Sequence, residues 1–158
     1  MKTAHFIGDH AKDGLLARLG WALTRLVQAG TYQRITHVEA IHEEHDDGSV
    51  TIASASIRDG GCVRSKRVTL NPEHWLIIDV PQWDVNESKL WFAMHEGQRY
   101  DYRGAFAIFW PWAGERRAEW FCNEAVGASV GLVTPDRFSP AQFAAICVTV
   151  SKLRKKDD

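Results

Sequence analysis

The side chains of this chain able to attack a carbonyl or carry a proton near neutral pH are three cysteines, at 62, 122 and 147, and seven histidines. Cysteine catalysis needs a thiolate, a base to make it, and a group that holds the base. A helix N-terminus beside the sulfur favours the anion, and its backbone N–H groups can hold an oxyanion. Cys122 has that setting. It lies in Glu119-Trp120-Phe121-Cys122-Asn123-Glu124-Ala125-Val126, near the start of a helix that the pattern predicts over 118–130, where Ala125, Gly127, Ala128 and Ser129 suit close packing. Cys62 falls in a predicted strand beside Val63, and Cys147 falls mid-helix among Ala144, Ala145, Ile146 and Val148. Neither has a neighbour that would stabilise a thiolate. By position alone, a buried structural thiol remains the alternative for Cys122.

His37 is set inside a strand with an acid on the same face. In Thr36-His37-Val38-Glu39, side chains alternate, so residues 37 and 39 point the same way. A carboxylate there can fix the tautomer and stabilise an imidazolium; the alternative is a half-buried structural histidine. His5 and His10 flank a predicted turn, and His74 and His95 are assigned to the surface or the core margin. The run His42-Glu43-Glu44-His45-Asp46-Asp47 has metal-ligand residue types without HExxH spacing. It falls on a hairpin tip and reads as a solvated loop, so no metal and no cofactor is expected. Trp110-Pro111-Trp112 fits either an aromatic core or a ligand-facing strip.

The elements that must position these groups follow from periodicity and turn residues. Strands are predicted at 4–7, 35–41, 50–57, 62–70 and 75–80. Asp47-Gly48 makes a hairpin signal and Gly60-Gly61 a further turn. Helices are predicted at 14–28, from a cap at Asp84 or Asn86 through Met94 with Gly97 as the stop, at 118–130, and from Ser139-Pro140 to about Leu153. The aromatic stretch 100–112 is expected to pack on the sheet. Strands first and helices after indicate an α+β fold with a mostly antiparallel sheet. With 158 residues and 45% apolar side chains, one domain over 1–158 is expected, closed by a charged tail at 152–158.

Composition narrows the function classes. The net charge of −1, from 19 basic and 20 acidic residues, gives no electrostatic grip on nucleic acid. An odd cysteine count without a CxxC pair argues against a disulfide scaffold or a zinc knuckle. No stretch is long and apolar enough to span a membrane. The first residues, interrupted by Gly8, Asp9, Lys12 and Asp13, do not form a signal peptide, so the chain is expected to be cytoplasmic as synthesised.

The order of His37 and then a helix-opening Cys122 resembles the circularly permuted branch of the papain-like, NlpC-type cysteine hydrolases, the group that includes YiiX-like proteins. Three pieces carry the resemblance over roughly residues 4 to 140. They are Ile35-Thr36-His37-Val38-Glu39, Gly97-Gln98-Arg99-Tyr100-Asp101-Tyr102, and Phe121-Cys122-Asn123-Glu124-Ala125-Val126, the last similar to the family's Cys-Ser-Glu-Leu-Val. The resemblance implies a permuted papain-like fold with the Cys helix packed on a central antiparallel sheet. It gives Cys122 the nucleophile role and His37 the general-base role. Glu39 is the first choice for the third, orienting residue. Ser54, in Ala53-Ser54-Ala55-Ser56, sits where the family often has a Glu and is the alternative. Tyr100, Asp101 and Trp120 look like substrate-binding residues, with a supporting role as the plain reading of the first two. The implied activity is amide or peptide hydrolysis, with cell-wall peptide as one candidate. A second reading is an acyl or lipid thioesterase or acyltransferase, although Phe121-Cys122-Asn123-Glu124 lacks the Asn-Cys-Glu-His usual there. A third is a non-catalytic phage- or prophage-type structural or binding protein on an inherited hydrolase fold. Substrate and oligomeric state stay open.

Overall fold

The computed structural model describes residues 1–7, 35–107 and 119–153. The predicted turn at Gly8-Asp9, His10, the helix predicted at 14–28, Trp110-Pro111-Trp112 and the charged tail beyond Leu153 lie outside the described residues. The described chain is α+β. Five strands, β1 (Lys2–Phe6), β2 (His37–Glu44), β3 (Val50–Ser56), β4 (Cys62–Val68) and β5 (Trp75–Asp79), form one antiparallel sheet in the order β4-β3-β2-β1-β5. The helices follow: α1 (Val85–His95), α2 (Tyr102–Ala107), α3 (Cys122–Ser129) and α4 (Pro140–Leu153).

The turns form for the reasons the residues suggest. Gly48 closes the β2–β3 hairpin at φ +78°, and Gly60 and Gly61 carry φ of +85° and +67° between β3 and β4, a region costly for residues with a Cβ. Of the two possible caps for α1, Asp84 takes the place, its carboxylate accepting from the N–H of Asn86 at 2.7 Å. At α4, the Ser139 hydroxyl accepts from Gln142 N, and the Gln142 side chain accepts from Ser139 N at 2.8 Å, a complete capping box ahead of Pro140.

One face of the sheet, carrying Val38, Ala40, Ala53, Ala55, Val63 and Ile78, packs beneath the helices against Phe92, Phe121, Ala125, Val126 and Phe143. Small residues on β2 and β3 let α3 lie close to the strands. On another side of α3, Gly127 lets the chain at Pro135 and Phe143 of α4 approach closely, because a Cβ there would meet Pro135 at 2.7 Å and Phe143 at 3.3 Å. The other face holds Ala4, Ile41 and Ile52, with Val50, Val68, Leu70 and Trp75 around them.

His5 lies in β1, within the strand predicted at 4–7, and is fully buried. One sequence reading is corrected. The acidic and histidine run is not all hairpin tip, because β2 continues to Glu44. The β2–β3 register shifts between Ile41 and Glu43, and His42 is turned inward, its Nε2 3.0 Å from the Ser88 hydroxyl, while Glu43 and Glu44 are exposed. The bulge separates side chains that a continuous run made look like one cluster.

Candidate active site

Cys122 is the first residue of α3 and His37 the first residue of β2, so the site forms where the helix start arrives at the end of a central strand. The N-cap, Phe121, has no polar side chain. Its backbone N–H is instead taken by the Glu124 carboxylate at 3.2 Å, the returning half of a capping box. The N–H groups of the first helical turn have no acceptor within the helix, which is what makes such a turn a candidate oxyanion binder.

The imidazole of His37 is flanked on two sides. Its Nε2–H donates to Glu39 Oε1 at 2.7 Å, and the Cys122 side chain, whose thiol donates to Asn123 Oδ1 at 3.7 Å, stands close enough to the ring to raise its pKa. With Nε2 on the carboxylate, Nδ1 is the nitrogen left for the sulfur. Burial by itself would strip the ring's proton. The charge of Glu39, the nearby Cys122 side chain, and the hydrogen bond of Glu39 outweigh it, and the His37 pKa is pushed up to about 10. Glu39 is 2% exposed. Its burial would raise its pKa, but His37 and the bonds from Arg64 outweigh that and hold the carboxyl below the usual carboxylate range. Trp75 sets its ring edge-on to His37, with centroids 6.4 Å apart.

Glu39 is gripped from β4 as well. Arg64 Nη1 donates to Oε2 at 2.7 Å and Nη2 to Oε1 at 2.5 Å, while Nε donates to Asp59 Oδ2 at 2.8 Å. Asp59 also receives the Lys66 ammonium at 2.8 Å. Sequence reading did not single out Arg64. Its signal lies in register: Glu39 pairs with Ala4 across β1–β2, and Ser54 pairs with Arg64 across β3–β4.

The other sequence-assigned residues are placed as follows. Ser54 is fully buried, and its hydroxyl donates to the Val38 carbonyl at 2.7 Å, so it is tied to the strand and not to the His37 ring. Tyr100 is buried beside Cys122, whose charge, after burial itself, raises the phenol's pKa well above its usual value. Asp101 is fully buried and caps α2, its Oδ1 accepting from Arg103 N at 2.9 Å and Gly104 N at 2.7 Å. A Cβ at position 104 would collide with that carboxylate. Asp101 is therefore a support of the segment before the Cys helix. Trp120 is half-buried, bridged through its backbone to Tyr100. Its Nε1–H donates to Gln98 at 2.6 Å, and its ring meets Trp91 edge-on at 4.8 Å.

The three thiols differ. Cys147 is fully buried in α4, and burial pushes its thiol up to about 12. Cys62 is half-buried at the start of β4, its thiol 3.5 Å from the Asp59 carbonyl oxygen. Cys122 alone, among the described residues, stands beside an imidazole. Among those residues no three His, Cys, Asp or Glu side chains are grouped to hold a metal ion, and no helix is long and apolar enough to cross a membrane. The chain matches no family model, no curated protein and no solved structure.

Proposed function

We propose that this chain is a cysteine hydrolase acting on an amide or peptide bond, built on a permuted papain-like fold. Cys122 is the nucleophile, His37 the general base and Glu39 the residue that orients it. One observation carries the reading: His37 is bonded to the buried Glu39 at 2.7 Å and has Cys122, at the start of α3, close enough to act on its proton. An isolated structural histidine has no need of a thiol at the start of a helix and a carboxylate in line behind it. The strand-then-helix order of the pair supports the permuted arrangement.

In this reading the sulfur attacks the carbonyl carbon, and the oxyanion that forms is held by N–H groups of the first turn of α3. The imidazolium gives its proton to the departing amine, leaving a thioester on Cys122. Water then attacks the thioester with His37 as base, which frees the acid and restores the thiol. Glu39 stabilises the imidazolium and keeps Nδ1 turned to the sulfur. A peptide of the cell-wall type is the candidate substrate.

Iodoacetamide labelling, read peptide by peptide in the native protein, tests the activated thiol. Cys122 is more buried than Cys62, so faster labelling at Cys122 reports activation and not access. The expected result is preferential labelling at neutral pH that His37→Ala slows. Equal rates for Cys122 and Cys62, unchanged in that variant, would overturn the reading. Turnover of muropeptides that is lost in Cys122→Ala identifies the bond class. Turnover of an acyl thioester or phospholipid alone moves the activity to acyl transfer on the same residues.

A further inference from the structure

We propose that Arg64 is a positioning residue of this site: clamped between Asp59 and Glu39, its guanidinium fixes the Glu39 carboxylate against His37 and so fixes the imidazole against Cys122. The inference rests on the cysteine-hydrolase reading and adds a fourth member to it.

The grounds are geometric. Glu39 stands on β2 and Arg64 on β4, with β3 between them. The β3 residue in register with Arg64 is Ser54, whose short side chain is turned to the Val38 carbonyl. The long arginine stem therefore crosses β3 without obstruction. At Glu39 the guanidinium meets both carboxylate oxygens, at 2.7 and 2.5 Å, a two-point contact that sets the plane of the carboxylate. Oε1 is the shared atom, taking Arg64 Nη2 and His37 Nε2 together. Asp59 takes the remaining edge of the fork through Nε at 2.8 Å, and Lys66 holds Asp59 in turn. The Arg64 side chain is 10% exposed and that of Glu39 2%, so these charges meet with little water to screen them.

A buried carboxylate with one imidazole neighbour could rotate or take up a proton. With Arg64 present it has neither freedom: both lone-pair edges are occupied, and the positive charge disfavours protonation. The charged and titratable groups facing this carboxylate are His37 from its own strand and Arg64 from β4. Asp59 and Lys66 stand behind Arg64, and Cys122 from α3 and His5 from β1 act on it through His37. Removing the guanidinium charge makes every proton in this chain of groups bind more tightly. The acid limb of Cys122 reactivity then moves to higher pH.

The experiment compares the full chain as wild type, Arg64→Met and Arg64→Lys. It follows iodoacetamide labelling of Cys122 between about pH 4 and 9, together with the 15N shifts of the His37 ring and near-ultraviolet circular dichroism as a check of packing. In Arg64→Met the acid limb is expected to move up by about half a pH unit, less than the roughly one to three units an arginine exerts on a carboxylate it touches, because the effect reaches Cys122 through Glu39 and His37. In Arg64→Lys the limb stays near its wild-type position because the charge remains. Its labelling rate falls several-fold and the His37 ring shifts change, because one ammonium cannot hold both oxygens. A wild-type limb in Arg64→Met, or a wild-type rate and ring spectrum in Arg64→Lys, overturns the proposal. If Arg64→Met does not fold, the lysine variant decides. The ring spectrum separates this inference from the reading beneath it. An unreactive Cys122 with a His37 spectrum that responds to Arg64 removes the hydrolase and keeps the clamp. An activated Cys122 with a spectrum and limb indifferent to Arg64 removes the clamp and keeps the hydrolase.

Discussion

His37 makes the stability of this protein depend on pH in a direction opposite to that of an ordinary buried histidine. Its proton is held up to about pH 10 in the folded chain, against 6.5 for a free side chain. Above pH 6.5 the unfolded chain binds fewer protons at this residue than the folded chain, so stability falls as pH rises. The contribution is complete below 6.5 and gone above 10. Within that window one proton of difference is worth about 1.4 kcal/mol per pH unit. The loss between pH 6.5 and about 8.5 is about 2 kcal/mol, which lowers a urea midpoint by about 1 M for an m-value near 2 kcal/mol/M. The window stops there because Cys147, raised from 9.0 to about 12, adds a loss of the same sign at higher pH. The perturbation is His37→Gln, and the assay is urea unfolding followed by the fluorescence of the tryptophans, Trp75, Trp91 and Trp120 among them. The loss across the window is expected to be about 2 kcal/mol greater in wild type than in the variant. Parallel pH dependences in the two proteins refute the account of how His37 holds its proton.

Three further outcomes are expected. His5 and His42 are both lowered to about 4, by burial first and then by His37 and Lys89 respectively. Unfolded histidines take up protons below 6.5 and these do not, so stability also falls from pH 6.5 toward 4, by about 3 kcal/mol for each; a urea midpoint still rising below pH 6 contradicts this. Ser88→Ala removes the hydroxyl that joins His42 at 3.0 Å to Ser129 at 2.9 Å, and is expected to cost about 1–3 kcal/mol in equilibrium unfolding, whereas a neutral change would show that this buried relay is not needed. Gly127→Ala presses a methyl group onto Pro135 and Phe143 and is expected to cost about 1–3 kcal/mol, read as a lower Tm; an unchanged Tm would show that the chain at Pro135 and α4 have room to move away from α3.

Much of the scaffold is local and was legible in the residues. Asp47-Gly48 and Gly60-Gly61 announce reversals because their backbones need conformations that glycine takes without cost. Ser139-Pro140 announces a helix because a hydroxyl and a missing N–H suit its first turn. The pairing of His37 with Glu39 was equally local, since alternation along a strand puts i and i+2 on one face. His42 escaped this logic, because a bulge changes the face a residue points to and nothing in the His42–Asp47 run marks it.

What the sequence determined by itself, then, is the set of elements, the turns between them, and which side chains share a face within one strand or one helix turn. These depend on backbone preferences and a fixed period. Which face meets which neighbour depends on strand order and register, and only the tertiary structure decides those. Registration of β3 between β2 and β4 lets Arg64 cross Ser54 to reach Glu39, and ties Ser54 itself to the Val38 carbonyl. Packing of α3 over the small residues of β2 and β3 brings Cys122 to the imidazole of His37, 85 positions away in the chain, counting 122 − 37. Side chains so far apart in sequence leave no periodic trace of each other, because their contact is set by the packing of the elements that carry them.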